Sequence, residues 1–430
     1  MDRRAARGVA PQLAEALAMV LAVAELPVRV RAWDGSEAGP DGAPLLVVRS
    51  PRALRRLLWS PNELGLARSY VAQEIDVPGD LFPVLAALTS SGLLAATGQS
   101  PRPLAVGERL RLLRRVVGLG GLGLSPAPPP EEVDLSGHGR RHSTGRDAAA
   151  ITHHYDLSND FYALLLGPSL VYSCAVWADE RTGLEAAQSA KNDLVCRKLE
   201  LRPGMRVLDI GCGWGSFALH AAQSYGVDVV GVTLSVRQAS LARERVAAAG
   251  SGGRVEIRVQ DYREIDDGPF DAISSIGMAE HVGGGEIGGY ARRMHDLLRP
   301  GGRLLNHAIA WNASRAPADP NSFIARYVFP DAHILTLAET IHALVSADLE
   351  VLDVEALRRH YGLTLRAWAQ RLEDHWAEAV RLVGERRARV WRLYLVGAAL
   401  AFEAGKEGVN QVLVQRPGGA EPPLRRTAWI

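Results

Sequence analysis

The chain has 430 residues and a mass of 46.4 kDa, a length that suits two or three domains and excludes a lone small binding module. Its composition, with 47% hydrophobic and 23% charged residues, lies near the globular average and excludes wholesale disorder, collagen-like repeats and a coiled coil. The net charge of +1 supplies no chain-wide field for nucleic acid, so we expect no nucleic-acid partner, and any contact with an anionic membrane must be local.

The cysteines and the N-terminal segment bear on the cellular compartment. The cysteines at positions 174, 196 and 212 form neither a disulfide framework nor a metal-binding spacing, so we expect a reduced, cytoplasmic protein without a metal site. The apolar run over residues 16–24 follows several arginines, as in a secretory signal, but it is short and its pattern favours an amphipathic helix. No apolar stretch approaches the roughly 20 residues that span a bilayer.

Residues 1–124 predict a smaller α+β domain that contacts lipid or a partner. Residues 27–50 have the alternation and turn residues of short strands, and the pattern from 51 to about 117 is helical. Two helical segments interleave arginine with apolar residues: Arg52, Arg55 and Arg56 near Trp59, and Arg109, Arg111, Arg114 and Arg115 among leucines. Each segment predicts either a basic amphipathic helix on anionic phospholipid or a core-facing helix with a solvated arginine face.

Residues 125–146 concentrate proline, glycine, serine and charge, and therefore predict a linker. From residue 147 to residue 430, β-branched runs alternate with longer amphipathic helices, as in a parallel, doubly wound sheet. The pattern predicts strands at 207–210, 229–233, 255–259, 272–276 and 303–310. The fold class is therefore α/β, with the smaller α+β domain preceding it.

The strongest local motif is a strand that runs into a glycine-rich turn, VLDIGCGWG, over residues 207–215. Glycine lets the backbone approach a ligand, and the following helix offers free N–H groups; the plain alternative is a tight strand-to-helix turn. The spacing differs from GxGxxG with an acid after the second strand, because the second strand ends at Thr233 and the acid, Asp261, follows the third. This pattern resembles class I S-adenosylmethionine (SAM) methyltransferases, with a dinucleotide-binding oxidoreductase as the alternative.

Four further segments narrow the resemblance: HHYDLSNDFY at 153–162, YSCA at 172–175, GMAEHVG at 277–283 and YVFP at 327–330. With His307, Tyr361 and VNQ at 409–411, they resemble the cyclopropane-fatty-acyl-phospholipid synthase family, which includes the mycolic acid cyclopropane synthases. The resemblance implies a Rossmann-like, class I SAM-dependent methyltransferase fold. It also implies a lid region at 153–162, for which a simple helix start is the plain alternative.

In that family, a SAM methyl group is transferred to a carbon of a cis double bond in a lipid acyl chain, and bound bicarbonate removes a proton from the resulting cation. The resemblance implies SAM and bicarbonate as cofactors and an unsaturated membrane phospholipid as substrate. Carried over by position, the bicarbonate site comprises Cys174, Glu280, His307, the backbone of Ile309, and Tyr361. The SAM contacts carried over are Tyr172, Ser173, Gly211, Gly213, Thr233, Gln238, Asp261 and Tyr262.

Taken singly, the side chains of this bicarbonate site have plain alternatives. Cys174 is by default a small buried residue, and Glu280 a solvated acid at a helix start. His307 is by default a satisfied core histidine, and Tyr361 a packing aromatic. The family pattern, and the position of Glu280 at the carboxyl end of a parallel strand, favour the functional interpretation.

The chain departs from the family pattern beside the base. Ala279 replaces an aromatic residue and Asn306 precedes His307, which predicts an altered wall next to the bicarbonate. These departures and the N-terminal stretch resemble the actinobacterial branch that makes 10-methyl, tuberculostearic-type fatty acids. That branch implies a 10-methylene product, which a separate reductase partner using flavin and NADPH converts to the 10-methyl chain.

Three alternatives stay open: a true cyclopropane synthase, an inactive SAM-fold scaffold that binds lipid, and a small-molecule O- or N-methyltransferase. The intact bicarbonate-site residues disfavour the inactive scaffold, and a small-molecule methyltransferase has no need of bicarbonate. We expect an enzyme that associates peripherally with the inner face of the plasma membrane. The sequence leaves the oligomeric state open, a homo-oligomer included.

Overall fold

The computed structural model describes residues 8–21, 23–91, 106–133, 139, 145–146, 157–312, 319 and 321–429. By its internal contacts the chain divides into two units. The first comprises Met1–Val133, Asp319–Val328 and Gly384–Leu400, and the second comprises Asp134–Ala318, Phe329–Val383 and Ala401–Ile430. The predicted linker at 125–146 lies partly outside the described residues.

The first unit contains a small sheet and helices. Its strands are β1 (Arg29–Arg31), β2 (Glu37–Ala38), β3 (Leu45–Val48) and β4 (Ile75–Asp76). Their order is β2-β1-β3-β4, in which β1 and β3 run parallel and the other pairs antiparallel. The helices are α1 (Val9–Val20), α2 (Pro51–Trp59), α3 (Glu63–Val71), α4 (Leu81–Ser90) and α5 (Val106–Gly118).

Local sequence explains where these helices begin. The side chains of Ser50, Asn62 and Asp80 accept hydrogen bonds from backbone N–H groups in the first turns of α2, α3 and α4. The amphipathic helix expected near the N-terminus is α1, which buries apolar residues on one face. The helical pattern predicted from 51 to about 117 corresponds to α2, α3, α4 and α5, with the two-residue strand β4 between α3 and α4.

Arg56 does not belong to a solvated arginine face. It is 4% exposed and donates two hydrogen bonds to the carboxylate of Glu74, each at 3.0 Å. It also donates to the carbonyl of Ala127 at 2.9 Å. On α2, Arg52 is exposed and Arg55 partly exposed, whereas the side chains of Arg109 and Arg111 lie outside the described part of α5.

Two later segments join the first unit through ion pairs. Arg389 donates to the carboxylate of Asp76 at 2.8 Å, and Arg326 donates to Glu132 at 2.8 Å. Arg389 is buried, and a buried guanidinium needs such a partner. The first unit therefore includes residues far beyond position 124. The sequence pattern instead predicts domains that are contiguous segments of the chain.

The second unit is built on one larger sheet. Its strands are β5 (Arg206–Ile210), β6 (Asp228–Thr233), β7 (Val255–Val259), β8 (Phe270–Ile276), β9 (Leu298–Trp311), β10 (Leu335–Thr336), β11 (Glu350–Ala356) and β12 (Glu407–Gln415). Their order is β11-β12-β9-β8-β5-β6-β7, with β10 beside β9. The five strands that the sequence predicts are all confirmed.

Helices flank this sheet in chain order. They are α6 (Asn159–Leu166), α7 (Leu184–Lys198), α8 (Ser216–Tyr225), α9 (Val236–Ala248), α10 (Ala279–Val282), α11 (Ile287–Leu297), α12 (Leu337–Val345), α13 (Arg358–Asp374) and α14 (Trp376–Val383). The following helix, α15 (Glu385–Glu403), belongs to the first unit as far as Leu400. The chain thus alternates strand and helix from β5 to β9, except that a short 3-10 helix (Tyr262–Glu264) joins β7 to β8, and this pattern is the one that the sequence predicts for an α/β fold.

The sheet is mixed rather than parallel throughout, which corrects the prediction. β12 runs antiparallel to both of its neighbours, β9 and β11. β12 lies between two strands and is buried along nearly its whole length. Because a strand buried on both faces lacks polar alternation, its sequence pattern is easily missed.

Alternate residues of β9 face opposite sides of the sheet. Leu305 packs in the cluster that contains residues of α7 and α8, whereas Leu304 packs with residues of α11 and α12. His307 therefore shares the face of Leu305, and Asn306 shares the face of Leu304. Of the helices in the described ranges, none is both long enough and apolar enough to cross a membrane.

Candidate active site

The glycine-rich turn after β5 places backbone at the wall of a cavity. Gly211 (φ 75°) and Gly213 (φ 55°) have left-handed backbone, which residues with side chains rarely adopt. The N–H groups of Gly211 and Cys212 both donate to the carbonyl of Val232 at 3.0 Å. The turn is thereby tied to β6.

This cavity lies at the carboxyl ends of β5, β6, β7 and β8 and measures about 1180 Å³, including its opening to solvent. Ligand sites of open α/β sheets form at this edge. All eight residues predicted as SAM contacts line it: Tyr172, Ser173, Gly211, Gly213, Thr233, Gln238, Asp261 and Tyr262. The structure thus brings the predicted cofactor residues together.

Polar side chains at the ends of β6 and β7 are held by local hydrogen bonds. Thr233 Oγ1 lies 3.0 Å from the amide oxygen of Gln238, to which it donates. Arg263 donates to both carboxylate oxygens of Asp261, at 2.8 and 2.6 Å. Burial alone would raise the pKa of Asp261, but the Arg263 hydrogen bonds outweigh it and hold that pKa below its usual value. The cavity edge therefore carries a charged carboxylate at neutral pH.

The segment that contains Tyr172, Ser173 and Cys174 is anchored on both sides. From α7, the amide nitrogen of Gln188 donates to the carbonyl of Ser173 at 3.0 Å. From α13, the hydroxyl of Thr364 accepts the backbone N–H of Ala175 at 3.1 Å. These contacts place the side chain of Tyr172 at the cavity wall.

Part of the predicted lid is α6. Ser158 caps this helix by accepting from the N–H of Phe161 at 3.3 Å, and Asn159 accepts from the indole N–H of Trp214 at 3.0 Å. Tyr162 packs against Trp214 with ring centroids 4.7 Å apart. The helix thereby contacts the glycine-rich turn, whereas residues 153–156 of the predicted lid lie outside the described residues.

Glu280 and Ile309 are in direct contact. Glu280 Oε1 accepts the backbone N–H of Ile309 at 2.7 Å. Burial raises the pKa of the Glu280 carboxyl to about 7, although the Ile309 hydrogen bond opposes this. Glu280 Oε2 is buried and has no hydrogen-bond partner in the described part of the chain.

His307 presents a second buried polar atom without a partner. Its Nδ1 lies 3.3 Å from the side-chain amide nitrogen of Gln411, and when that nitrogen donates, the proton of the neutral ring is on Nε2. Burial lowers the pKa of His307 to about 3, which keeps the ring neutral. Its Nε2 has no hydrogen-bond partner among the described residues.

Cys174 and Tyr361 meet at one backbone carbonyl. Cys174 Sγ lies 3.7 Å from the carbonyl oxygen of Leu357, and the N–H of Tyr361 donates to the same oxygen at 3.1 Å. Burial raises the pKa of the Cys174 thiol well above its usual value, so it is uncharged. The ring of Tyr361 packs against Phe402, with centroids 4.7 Å apart.

The strand β12 links the Cys174 and Tyr361 pair to the Glu280 and Ile309 pair. The N–H of Leu357 donates to the carbonyl of Val409 at 2.8 Å, and Val409 pairs with Ile309 across β12 and β9. In the same ladder, Gln411 pairs with His307. None of the five predicted bicarbonate-site residues lines the cavity itself, but Cys174 follows Ser173 and Glu280 precedes His281, which both do.

Asn306 does not form part of the wall beside His307, which corrects the prediction. Its amide nitrogen donates to the hydroxyl of Tyr290 at 3.2 Å, on the opposite face of β9. The alternation of side chains along a strand is the reason. Ala279 is buried next to Glu280. Of the two departures from the family pattern, it is therefore the one that lies beside the predicted bicarbonate site.

Two buried residues at the cavity were missed by the sequence analysis. Lys191 on α7 is 2% exposed, and burial lowers its pKa to about 8 although Asp209 opposes this. Burial raises the pKa of Asp209 to about 6, against the hydrogen bond that Ser274 donates at 2.6 Å. The sequence offered one signal for Lys191. This residue lies three residues after Gln188 and four after Ala187, a spacing that places it on the buried face of the helix.

A mixed α/β sheet with a ligand cavity at the carboxyl ends of its central strands is the architecture of class I SAM-dependent methyltransferases. Two solved structures are similar to this chain. The cyclopropane synthase MmaA2 from Mycobacterium tuberculosis has a TM-score of 0.60 and 34% identity, covering 62% of this chain and 98% of its own. The mycolic acid cyclopropane synthase CmaA1 complexed with SAH and CTAB has a TM-score of 0.59 and 33% identity, with the same coverage of 62% and 98%.

Relatives known by sequence match more of this chain than the two solved structures do. The family model of mycolic acid cyclopropane synthetase matches residues 142–412. The probable fatty acid methyltransferase Rv3720 of M. tuberculosis is 40% identical over 97% of this chain and 98% of its own. The tuberculostearic acid methyltransferase UfaA1 of M. tuberculosis is 34% identical over 91% and 88%, and the cyclopropane-fatty-acyl-phospholipid synthase of Escherichia coli K12 is 39% identical over 63% and 68%. The chain therefore belongs to the mycolic acid cyclopropane synthetase family, and it is a SAM-dependent methyltransferase.

Proposed function

We propose that this methyltransferase transfers a methyl group to the cis double bond of an unsaturated phospholipid acyl chain and releases a 10-methylene chain. The names of the relatives support a fatty-acyl substrate. Relatives named fatty acid methyltransferase or tuberculostearic acid methyltransferase align with 97% and 91% of this chain, whereas the E. coli cyclopropane synthase aligns with 63%. The broader match supports a fatty acid methyltransferase over a cyclopropane synthase, and we take the methylene chain as the product of such a methyltransferase.

The observation that carries the proposal is the pair of unpartnered polar atoms beside the cavity. Glu280 Oε2 is a buried acceptor, and His307 Nε2 is a buried ring nitrogen that donates when the ring carries its proton there. Burying such atoms without partners costs roughly 1–3 kcal/mol each, so a ligand that pairs with them is favoured. Bicarbonate carries both a hydroxyl donor and oxygen acceptors, and the residues present therefore fit it.

The remaining bicarbonate-site residues fit an anion for a further reason. The neutral His307 ring leaves Nε2 free to pair with an anion, and the backbone N–H of Ile309 holds the Glu280 carboxyl in place by donating to its Oε1. When bound, bicarbonate supplies a base for the proton that the alkylated chain must lose. The uncharged Cys174 thiol and the Tyr361 ring keep the surroundings dry, which strengthens hydrogen bonds to an anion.

The cavity residues fit SAM. The glycine turn lets the backbone approach the ligand, and Asp261 presents a carboxylate at the edge where an adenosine amine or hydroxyl would donate. When bound, SAM supplies an electrophilic methyl group, which passes to one alkene carbon as SAH is released. An alkene is a poor nucleophile, so the contribution of the protein is to hold the two reactants in line and to exclude water.

The methylene product requires a hydride donor to become a 10-methyl chain. We assign this step to a separate reductase that uses flavin and NADPH, because the single glycine-rich strand-to-helix turn of the sequence is already placed at the SAM cavity. The reduction adds a hydride, which NADPH supplies through the flavin, and a proton from solvent across the methylene double bond. A true cyclopropane synthase is the alternative, and Ala279 is the residue at the site that distinguishes this chain from the synthase pattern.

The location of the substrate leads to a further part of the proposal. An acyl chain inside a bilayer is reached by an enzyme that associates with the membrane surface, so we assign the protein to the inner face of the plasma membrane. A homo-oligomer is compatible with this location.

One experiment separates the candidate functions. The protein is incubated with SAM and an oleoyl phospholipid, or expressed in a host that makes such lipids, and the fatty acids are analysed by mass spectrometry. We expect a methylene-branched chain as the main product. A dominant cyclopropane ring would establish the alternative, and unchanged lipid in the presence of SAM-binding protein would indicate an inactive scaffold.

A further inference from the structure

The first unit carries an exposed surface that combines apolar and basic side chains. Large apolar residues are 61% (Trp59), 52% (Val117), 52% (Leu122) and 85% (Leu124) exposed. Arg52 and Arg114 are exposed beside them, and Arg55 is partly exposed. We call this surface the α2–α5 patch: Arg52, Arg55, Trp59, Arg114, Val117, Leu122 and Leu124.

Hydrogen bonds show that the patch is continuous. The indole N–H of Trp59, at the end of α2, donates to the carbonyl of Gly123 at 3.1 Å. Arg55 donates to the carbonyl of Gly120 at 3.4 Å. The end of α2 and the turn that follows α5 therefore lie side by side, and their apolar residues form one exposed surface.

The two segments that form the patch are rich in arginine. Residues 49–60 contain four arginines and no acid, and residues 109–130 also contain four arginines and no acid. The nearby acid Glu74 has a side chain only 8% exposed and is held by Arg56 at 3.0 Å. Arg52 also contacts Glu74 at 3.4 Å, and Arg115 on α5 pairs with Glu15, whose side chain is 59% exposed, so the surface carries an excess of positive charge rather than a single sign.

We propose that the α2–α5 patch docks on the surface of an anionic phospholipid bilayer. Exposed apolar surface costs free energy in water and gains it at the boundary of headgroups and acyl chains, where tryptophan is favoured. Each arginine near an anionic leaflet adds about 1 kcal/mol of attraction. The proposal rests on the phospholipid substrate of the proposed function, and it names the face through which that membrane is met.

Vesicle co-sedimentation tests this docking. The full-length protein is mixed with vesicles of phosphatidylglycerol and phosphatidylcholine, or of phosphatidylcholine alone. Two variants remove the two parts of the patch, Leu122→Asp with Leu124→Asp and Arg52→Gln with Arg114→Gln. Val345→Asp with Leu424→Asp is the matched control, because these residues are 51% and 103% exposed in the second unit.

We expect the wild type and the control to bind anionic vesicles, and each patch variant to bind at least tenfold more weakly. Binding of the wild type should fall as salt is added. SAM affinity, measured by calorimetry, should be equal in all four proteins, which checks that each is folded.

Three results would overturn the docking proposal. They are wild-type vesicle affinity in both patch variants, equal binding of the wild type to neutral and anionic vesicles, and a change of oligomeric mass in the patch variants, which would identify a second copy of the chain as the occupant. The proposed function fails separately: a protein that binds anionic vesicles through the patch but leaves oleoyl chains unmodified keeps the docking and loses the reaction.

Discussion

Gly213 illustrates at the residue scale how backbone conformation and ligand space are linked. Its backbone is left-handed at the cavity wall. We predict that Gly213→Ala weakens SAM binding by about tenfold or more, because the added methyl occupies space that the ligand needs against the backbone. Titration calorimetry with SAM measures this.

Gly204 supplies the matched control. It has a φ of 82°, lies in an exposed turn, and an added Cβ would meet nothing within 4 Å. Gly204→Ala therefore incurs the same backbone strain, about 1–2 kcal/mol, away from the cavity. Equal SAM affinity in Gly213→Ala and the wild type would refute the assignment of this turn to SAM.

Glu280 should control activity through its charge. Because burial raises its pKa to about 7, the carboxyl becomes protonated as the pH falls below 7. We predict that the turnover number of the wild type falls over this range. Glu280→Gln, which removes the charge at nearly constant volume, should lower turnover by about 100-fold and leave SAM affinity unchanged.

Protonation of the Glu280 carboxyl should lower turnover but stabilise the folded protein. Its pKa is higher in the folded state than its ordinary value of 4.5, so the protonated form is favoured by folding. This contribution is present below about pH 4.5 and is lost as the pH rises through 7, an effect of roughly 3 kcal/mol. Chemical denaturation of the wild type and Glu280→Gln measures it. An identical pH dependence in the two proteins would contradict the burial of this charge.

At the scale of elements, a buried ammonium joins α7 to β11. Lys198 has a fully buried side chain, and its Nζ lies 3.0 Å from Asp353 and 2.6 Å from Glu355. We predict that Lys198→Met destabilises the fold by about 2–3 kcal/mol, because the two carboxylates lose their buried cation and keep only the partly exposed Arg426, at 3.5 and 3.3 Å. Denaturant unfolding measures the change.

Arg197, the preceding residue, is the control for Lys198. Its guanidinium is 41% exposed and pairs with Asp193 within the same helix at 2.9 Å. An exposed pair of this kind contributes little, so Arg197→Ala should change the free energy of unfolding by no more than about 0.5 kcal/mol. Comparable losses in both variants would show that the ion pairs of Lys198 have no special role.

At the scale of the whole molecule, the product should depend on a second protein. We predict that the purified chain, with SAM and an oleoyl phospholipid, stops at the methylene stage. Adding a flavin-dependent reductase with NADPH should then convert the product to one heavier by two hydrogens. Mass spectrometry distinguishes the two, and a 10-methyl product from the purified chain alone would remove the need for a partner.

The sequence by itself determined the strands β5 to β9, the glycine-rich turn and the positions of the family motifs. These features depend on short-range patterns: buried β-branched runs, glycines where backbone must turn, and capping residues such as Ser158. The eight residues predicted for SAM meet in one cavity because they follow neighbouring strands of one sheet.

Only the tertiary structure decided the remaining features, because each depends on residues distant in sequence. The insertion of β12 beside β9 joins Leu357, Val409 and Ile309, and so connects the two groups of residues that we propose for the bicarbonate site. The face of β9 determines that Asn306 points away from His307. Burial in three dimensions takes Lys191 and Arg56 out of solvent, and it shifts the pKa of Glu280, because charge in the interior depends on what surrounds it and not on its neighbours along the chain.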